Sequence, residues 1–515
     1  MEMRKWLIAG GVALLVTLVA GRVAVKRIAA WLPNYLRERA TSTLHERFAS
    51  DVQFGDLQIL VYPKIVIRGE RLVLRFHGRQ DIPPLVSVAK FSTEVGLGEL
   101  FRRTHRLRKI TLEGLRITMP PASAPEAQVP RKAKARKSPV HYRVAVDEID
   151  ADDAELDLMV REPNKPPRVF FIHHLQLYNA GLGQPMSYHA RLTNPIPVGE
   201  IDSEGHVGPW QRDEPGLTPL DGAYTFSHAD LSSIKGLGGI LFSKGKFAGQ
   251  LYRIDVQGYT TTPDFSLGIS DHPVPLETQF HAIVDGTTGN TMLEPVHAKL
   301  LNSEFVARGG VFRIPGQAHR RVLLDAVSSG AKLEDLLRLA LKADEPPMTG
   351  VVGFRTRIDI PPGKGAIADR MRLDGQFNIT SGRFSRLDLQ KKVAAFSRRS
   401  RGDTDQDGVG SVVSNFGGRF VLGDDVINFT RLTFGVPGAS VNLDGTYRLR
   451  GENMDFRGSL RLQAKVSQLM KGWKSKLLVP FDPLFEKKGA GTFLPITITG
   501  TGSNPHFGLD IRHVF

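Results

Sequence analysis

The sequence predicts a mainly β protein of long antiparallel strands, with an N-terminal transmembrane helix and a few short amphipathic helices. Three observations predict it. Residues 441–466 alternate strictly: Val441, Leu443, Gly445, Tyr447 and Leu449 share one parity, and Asn442, Asp444, Thr446 and Arg448 the other. After a break at Gly451, Glu452 and Asn453 the pattern resumes, with Met454, Phe456, Leu460, Leu462 and Val466 on one side and Asp455, Arg457, Arg461 and Lys465 on the other. Successive strand side chains face opposite sides of a sheet, so these are two antiparallel strands with one apolar and one charged face. Second, similar short runs recur along most of the chain, punctuated by turn residues. Third, residues 6–25 are apolar except for Arg22, enough for about 30 Å of helix, the thickness of a bilayer core.

From the N-terminus, Arg4 and Lys5 precede the apolar span, and Trp6 and Trp31 stand where interfacial anchors belong. A cleaved signal peptide is the competing reading, but Leu18 fits poorly at the −3 position before Ala20 and Gly21. Residues 34–50 carry Leu36, Ala40, Leu44 and Phe48 at helical spacing. The period then changes to two, giving a strand meander over 52–76 broken at Pro63 and Gly69, and a strand at 85–95. Residues 98–107 read as a short basic helix and 109–119 as a strand. Arg102, Arg103, His105, Arg106, Arg108 and Lys109 form a basic cluster, read either as solvated charge or as headgroup contact.

Residues 120–139 are rich in Pro and Ala with Lys132, Lys134, Arg136 and Lys137, which predicts a disordered loop. Strands at intervals of about ten residues follow to about residue 328. Residues 331–343 and 387–398 predict helices, the first with Leu333, Leu336, Leu337 and Leu341 on one stripe, the second with Leu389, Val393 and Phe396. Strands are expected at 351–360, 371–384, 492–501 and 506–514. Leu-Asp-Gly-x-aromatic occurs at 220–224, 373–377 and 443–447, and Gly-basic-Phe at 245–247, 382–384 and 418–420. Their unequal spacing excludes a rigid-period solenoid and leaves either one strand element used repeatedly or chance recurrence in a Gly-rich chain.

At 515 residues the chain has material for more than one domain, and 41% hydrophobic with 23% charged residues is ordinary for a folded protein. The absence of Cys excludes disulfides and thiolate chemistry. A net charge of +15 fits an anionic membrane surface or nucleic acid, and the apolar N-terminal span favours the membrane.

Catalytic signatures fail on inspection. Gly245-Lys246 is followed by Phe247, so no Walker A loop forms, and no Gly-x-Ser-x-Gly elbow occurs. His45-Glu46 lacks a second zinc ligand because residue 49 is Ala. Asp403, Asp405, Asp407 and Gly408 match the first half of a calcium loop, but its twelfth position is Ser414 instead of Glu. His272, His281 and His297, with Asp264, Asp271 and Asp285, have no ligand spacing.

Several strings resemble the AsmA-like family of bacterial envelope proteins. Residues 52–119, after the anchor and helix, resemble that family's N-terminal region. Residues 249–310 resemble its central region, through Leu251-Tyr252-Arg253-Ile254-Asp255-Val256, Thr262-Pro263-Asp264-Phe265 and Phe280-His281-Ala282-Ile283-Val284-Asp285-Gly286. Residues 382–510 resemble its C-terminal region, through Phe434-Gly435-Val436-Pro437-Gly438-Ala439 and Phe481-Asp482-Pro483-Leu484-Phe485.

The resemblance implies an inner-membrane anchor, a body in the periplasm, and a long twisted antiparallel sheet forming an elongated apolar β-groove of the bridge-like lipid-transfer kind. A tally of positive residues flanking the span would put the body inside; the resemblance overrules it. About 25 strands at about 4.8 Å each would give a groove of roughly 120 Å. Expected divisions are 1–30 (anchor), 31–119 (N-terminal helix and strands), 120–140 (basic loop), 141–380 (central groove) and 381–515 (C-terminal β region).

The expected function is phospholipid binding and transfer toward the outer membrane, a part of outer-membrane biogenesis and envelope lipid homeostasis. It needs no catalytic, cofactor-binding or metal-binding residue. The expected partners are phospholipids, the inner membrane, and outer-membrane or periplasmic proteins, with no nucleic acid. The alternative is an assembly factor for outer-membrane proteins acting through an exposed sheet edge. Val441, Leu443, Tyr447, Leu449, Phe456, Leu460 and Leu462 are the expected groove lining. Trp6, Leu14, Leu15, Val19 and Trp31 anchor the span, and Trp473, Lys474, Phe481 and Phe485 are expected at a membrane interface, with a helix capping the sheet as the competing reading of that segment.

Overall fold

Strand after strand pairs with its neighbour in the computed structural model, and 26 strands belong to one mixed sheet. The structure describes residues 22, 27, 37, 38, 41, 50–53, 55–60, 65–76, 80, 82–96, 104–119, 143–159, 168–180, 184–211, 214–270, 272–317, 319–342, 345–385, 387–401, 412–465, 492–501 and 504–509. Two units are distinguished. The first comprises residues 1–227, 244–256 and 284–288, and the second 228–243, 257–283 and 289–515.

In the first unit β1 (Ser50–Gln53) and β2 (Leu57–Leu60) lie one after the other along β3 (Ile65–Phe76), which pairs with β4 (Val86–Val95). β4 pairs in turn with β5 (Thr104–Glu113) and β6 (Arg116–Met119). The next strand, β7 (Arg143–Leu158), runs parallel to both. β8 (Arg168–Ala180), β9 (Met186–Pro195) and β10 (Val198–Val207) continue antiparallel, followed in the chain by β11 (Pro219–Asp230).

The all-antiparallel expectation is therefore corrected at one seam. A parallel pair needs a crossover, and residues 120–142 supply its length. Thr104 to Leu107, expected as helix, are strand, because β7 offers them a parallel partner. Val88, Leu115, Ala151, Ala154, Ile172, Leu175 and Ala190 form this unit's main core, on one face of β4 and β7–β9.

The chain continues through β12 (Leu237–Gly238), β13 (Ile240–Gln250), β14 (Arg253–Leu267), β15 (Val274–Val284), β16 (Thr291–Leu300), β17 (Ser303–Arg313) and β18 (Arg320–Lys332). Then come β19 (Met348–Ile360), β20 (Arg372–Phe384), β21 (Ser414–Gly423), β22 (Val426–Val436), β23 (Ala439–Arg448), β24 (Asn453–Leu462), β25 (Thr492–Thr501) and β26 (Pro505–Leu509). From β16 to β26 each strand pairs antiparallel with the next.

Helix α1 (Leu333–Ala340) begins later than predicted, because Ala331 and Lys332 pair with Val352 and Val351 in the sheet. The single turn α2 (Ile367–Arg370) and helix α3 (Leu387–Ser400) complete the α-helices described in this unit. The turn before Asn453 falls where the sequence places it, but β24 ends at Leu462 rather than running to residue 466.

Among the described residues no helix is long and apolar enough to cross a membrane. The expected span lies outside the described residues apart from Arg22 and Arg27. So do Trp6, Leu14, Leu15, Val19, Trp31, the 403–407 loop, and Trp473, Lys474, Phe481 and Phe485.

Candidate functional site

The second unit carries a continuous apolar face, and strand register sets its rows. One row runs Ile379, Phe416, Phe434, Val441, Leu460, Leu494 across β20 to β25. The next runs Phe354, Phe377, Gly418, Leu432, Leu443, Gly458, Ile496, Leu509 from β19 to β26. A third runs Gly375, Phe420, Phe429, Gly445, Phe456, Ile498, Phe507.

Rings meet along these rows. Phe377–Phe420, Phe420–Phe429 and Phe429–Phe456 have centroids 6.1, 6.4 and 5.9 Å apart, and Phe416–Phe434 4.8 Å. Such separations suit tilted aromatic contact. Two of the interleaved glycines make this packing feasible. A Cβ on Gly418 would stand 2.8 Å from the Phe377 ring, and one on Gly445, at φ +149°, 2.9 Å from Phe456 and 2.1 Å from the Asp455 carbonyl oxygen. The recurring Leu-Asp-Gly-x-aromatic and Gly-basic-Phe strings place a glycine and a ring on one parity of β20, β21 and β23, and in β21 and β23 a ring of the neighbouring strand stands beside that glycine.

One margin of this face is roofed. α1 packs Leu333, Leu336 and Leu337 against Met348, Val352, Ile379 and Phe416. α3 packs Val393 and Phe396 against Val436, Ala439, Leu462 and Leu460. Both roofs are pinned by polar bonds. Asp335 of α1 is buried and accepts from the Asn302 amide (3.0 Å) and the Ser303 hydroxyl (2.8 Å). In α3 the Ser397 hydroxyl donates to the Pro437 carbonyl, and the Ala464 amide donates to the Ser400 carbonyl.

Beyond the roofs most of the described face is half-buried rather than buried. Val441, Leu443 and Tyr447 are half-buried there and Phe456 is buried, while Asn442, Asp444, Thr446, Arg448, Asp455 and Arg457 on the opposite face are exposed. Part of this burial comes from the neighbouring rings along the rows. Of the expected lining, Val441, Leu443, Tyr447, Phe456, Leu460 and Leu462 share this face, with Leu460 and Leu462 at the α3 roof; Leu449 is exposed in the turn after β23. The Tyr447 phenol is pushed up by burial and then by the Glu452 carboxylate. Sequence reasoning missed Phe377, Phe420 and Phe429; the glycine–aromatic strings were the signal for Phe377 and Phe420.

The basic cluster of the first unit has a different outcome. Arg106 pairs with Asp147 at 2.6 Å, Lys109 with Glu148 at 2.9 Å and Asp150 at 2.5 Å, and Arg116 with Glu155. The Lys109 ammonium is held well above its ordinary value by its hydrogen bonds to Asp150 and Glu148. These ion pairs zip the parallel seam of β5 and β6 with acidic β7, and they use up charge that the sequence left available to headgroups. Arg102 and Arg103 lie outside the described residues.

Asp150, Asp152 and His174 form a donor cluster, with His174 Nδ1 2.7 Å from Asp152. The Lys109 ammonium already supplies its counter-charge. Among the described residues His272, His281, His297, Asp264 and Asp285 form no metal-holding group, and Asp271 lies outside the described residues. Asp264 accepts from the Ile240 amide, and Asp285 accepts from the amides and hydroxyls of Thr287 and Thr288. Comparison with known proteins finds no matching family model, no matching curated relative and no matching solved structure.

Proposed function

We propose that this protein binds phospholipid acyl chains on the apolar face of its second unit and moves them through the periplasm toward the outer membrane, from an N-terminal inner-membrane anchor. One observation carries the reading: an apolar, ring-paved face continues across β19 to β26, half-buried rather than sealed beyond the α1 and α3 roofs. Exposing an acyl chain to water costs about 0.8 kcal/mol per CH₂, on the order of 13 kcal/mol for sixteen carbons. A continuous apolar floor offsets that cost at every point of the path. Transport of this kind uses no catalytic residue, and the charged opposite face keeps the sheet hydrated.

The test places a photoreactive amino acid at Leu443 or at Asp444 in living cells fed labelled phospholipid. Leu443 is half-buried on the apolar face and Asp444 is exposed on the other. Crosslinks at Leu443 and none at Asp444 are expected. Equal silence at both in folded protein refutes the lipid reading.

A second reading has one observation in its favour. Every residue of β26 is exposed, and Phe507 is 76% exposed on the apolar parity. An exposed edge of this kind can add a client strand from an outer-membrane protein. Crosslinks from residue 507 to unfolded outer-membrane proteins, with none to lipid from residue 443, would favour assembly over transport.

A further inference from the structure

The connection between β19 and β20, residues 361–370, touches two distant parts of the second unit. The Ile367 amide donates to the Lys235 carbonyl at 3.2 Å, and a Cβ on Gly236 would lie 3.2 Å from the Ala366 Cβ. Two residues on, Asp369 accepts from Arg450 Nη2 at 2.7 Å, and the Arg450 and Leu449 amides are themselves held by Asp425. Lys235 adjoins β12, which pairs with β14, and Arg450 follows β23.

In strand order β14 and β23 are nine spacings apart, roughly 43 Å at about 4.8 Å each. The two ties limit the Lys235-to-Arg450 separation to about 25 Å, given about 3.5 Å per residue and two side chains. The sheet of this unit therefore coils back between β14 and β23, as the accumulated twist of successive strands requires. The segment leaves the sheet at the rim where β19, β21 and β23 end, and from there it reaches Lys235 beside β12.

The ties differ in strength. At Lys235 the contact is a backbone hydrogen bond with close packing. At Arg450 it is an ion pair whose side chains are 77% and 51% exposed, a class that contributes little and is screened by salt.

We propose that residues 361–370 are a strap across the coiled sheet, hinged at Lys235 and latched at Asp369–Arg450, and that release of the latch admits an acyl chain sideways onto the apolar face. The inference rests on the lipid reading and adds its control. Arg370 makes the strap a preformed body, because its guanidinium donates to the Gly365 and Pro361 carbonyls within the same segment. Opening therefore moves one short rigid piece instead of melting a strand.

The test measures how fast full-length protein takes up a phosphatidylethanolamine with a fluorescent acyl chain from phosphatidylethanolamine/phosphatidylglycerol vesicles, and separately how much it holds at equilibrium. Asp369→Asn and Arg450→Gln should each speed uptake about 1.5- to 5-fold at low salt, the range set by an exposed ion pair. Combining them should add nothing further, since both remove one latch. Raising salt should speed the unaltered protein and leave the variants unchanged. Identical rates in all four proteins with normal equilibrium loading, or fully additive effects in the double variant, overturn the strap while leaving the lipid reading intact. Absence of bound lipid in every protein, the unaltered one included, overturns the lipid reading on which the strap depends.

Discussion

Shortening the connection between β6 and β7 should have a threshold set by geometry alone. Register pairs Thr104 with Arg143 and Met119 with Leu158, so the chain leaving Met119 must return along the whole seam to reach Arg143. That return is fifteen residues of strand, about 50 Å at about 3.3 Å each. Residues 120–142 give twenty-four Cα steps, which reach about 79–86 Å when extended. Deleting 124–128 leaves nineteen steps, about 63–68 Å, and still spans the seam. The change in closure entropy is then only about 0.2 kcal/mol, so stability should not move measurably. Deleting 124–135 leaves twelve steps, about 40–43 Å, and cannot span it. The parallel pairing must break or slip, exposing Leu115, Ala151 and Ala154 of the core and separating the Lys109 and Arg116 ion pairs. The cost should be on the order of 5 kcal/mol. Thermal melting and amide hydrogen exchange over residues 144–158 are the assays. A Gly/Ser replacement of 124–135 at full length should behave as the unaltered protein, which separates length from composition. The geometric argument is refuted if the twelve-residue deletion melts with the unaltered protein and keeps full exchange protection in β7.

Three further outcomes follow from single positions. Gly445→Val should cost at least about 3 kcal/mol by chemical denaturation, because its Cβ would meet the Asp455 carbonyl at 2.1 Å and φ is +149°; a midpoint shift under 0.5 kcal/mol would contradict the ring-on-glycine packing. Asp335→Ala should cost about 2–3 kcal/mol by leaving the Asn302 amide and Ser303 hydroxyl without their acceptor, with exchange rising first in α1; an unchanged midpoint would contradict the pin. Asp359 lies below the usual carboxylate range because of the Arg321 guanidinium, which donates to it at 2.9 and 2.7 Å. A depressed carboxylate contributes stability that is present above its unfolded value near pH 4 and lost as pH falls through the folded value. Asp359→Asn should therefore lower stability at pH 7 by up to about 1 kcal/mol and narrow its gap to the unaltered protein below about pH 4; a gap constant with pH would contradict the pairing.

The antiparallel pair β23–β24 was legible because its alternation is strict, and a slip of one residue would turn Leu443 and Leu460 to water. Helices α1 and α3 were legible for the same reason, as the stripe of Val393 and Phe396 has one place to go. The parallel seam was not legible. β5 and β7 alternate like their antiparallel neighbours, and direction is decided by the connection, whose length permits a crossover without demanding one. Thr104 to Leu107 were misread for a related reason. Arg and His suit an exposed strand as well as a helix when an acidic partner stands alongside, and that partner, β7, is distant in sequence. The ties of residues 361–370 left no local trace at all, since Asp369 and Arg450 become neighbours only through the coiling of the strands between them.

The glycine–aromatic strings shape the surface on which the proposed lipid would lie. A packed sheet interface interdigitates side chains of unequal height from both sides. Here Phe377 lies over Gly418 and Phe456 over Gly445, so large rings sit where the neighbouring strand has no side chain to raise them. The outcome is a floor of tilted rings interleaved with glycines and aliphatic groups. Under the proposed lipid reading, such a floor would give an acyl chain dispersion contact along its path. The roofs of α1 and α3 obey the opposite rule. Their leucines, Val393 and Phe396 penetrate between Val352, Ile379, Val436 and Leu462, and there the face is buried and fixed. Within single strands burial falls from Ile379 to Phe377 in β20 and from Leu462 to Leu460 in β24.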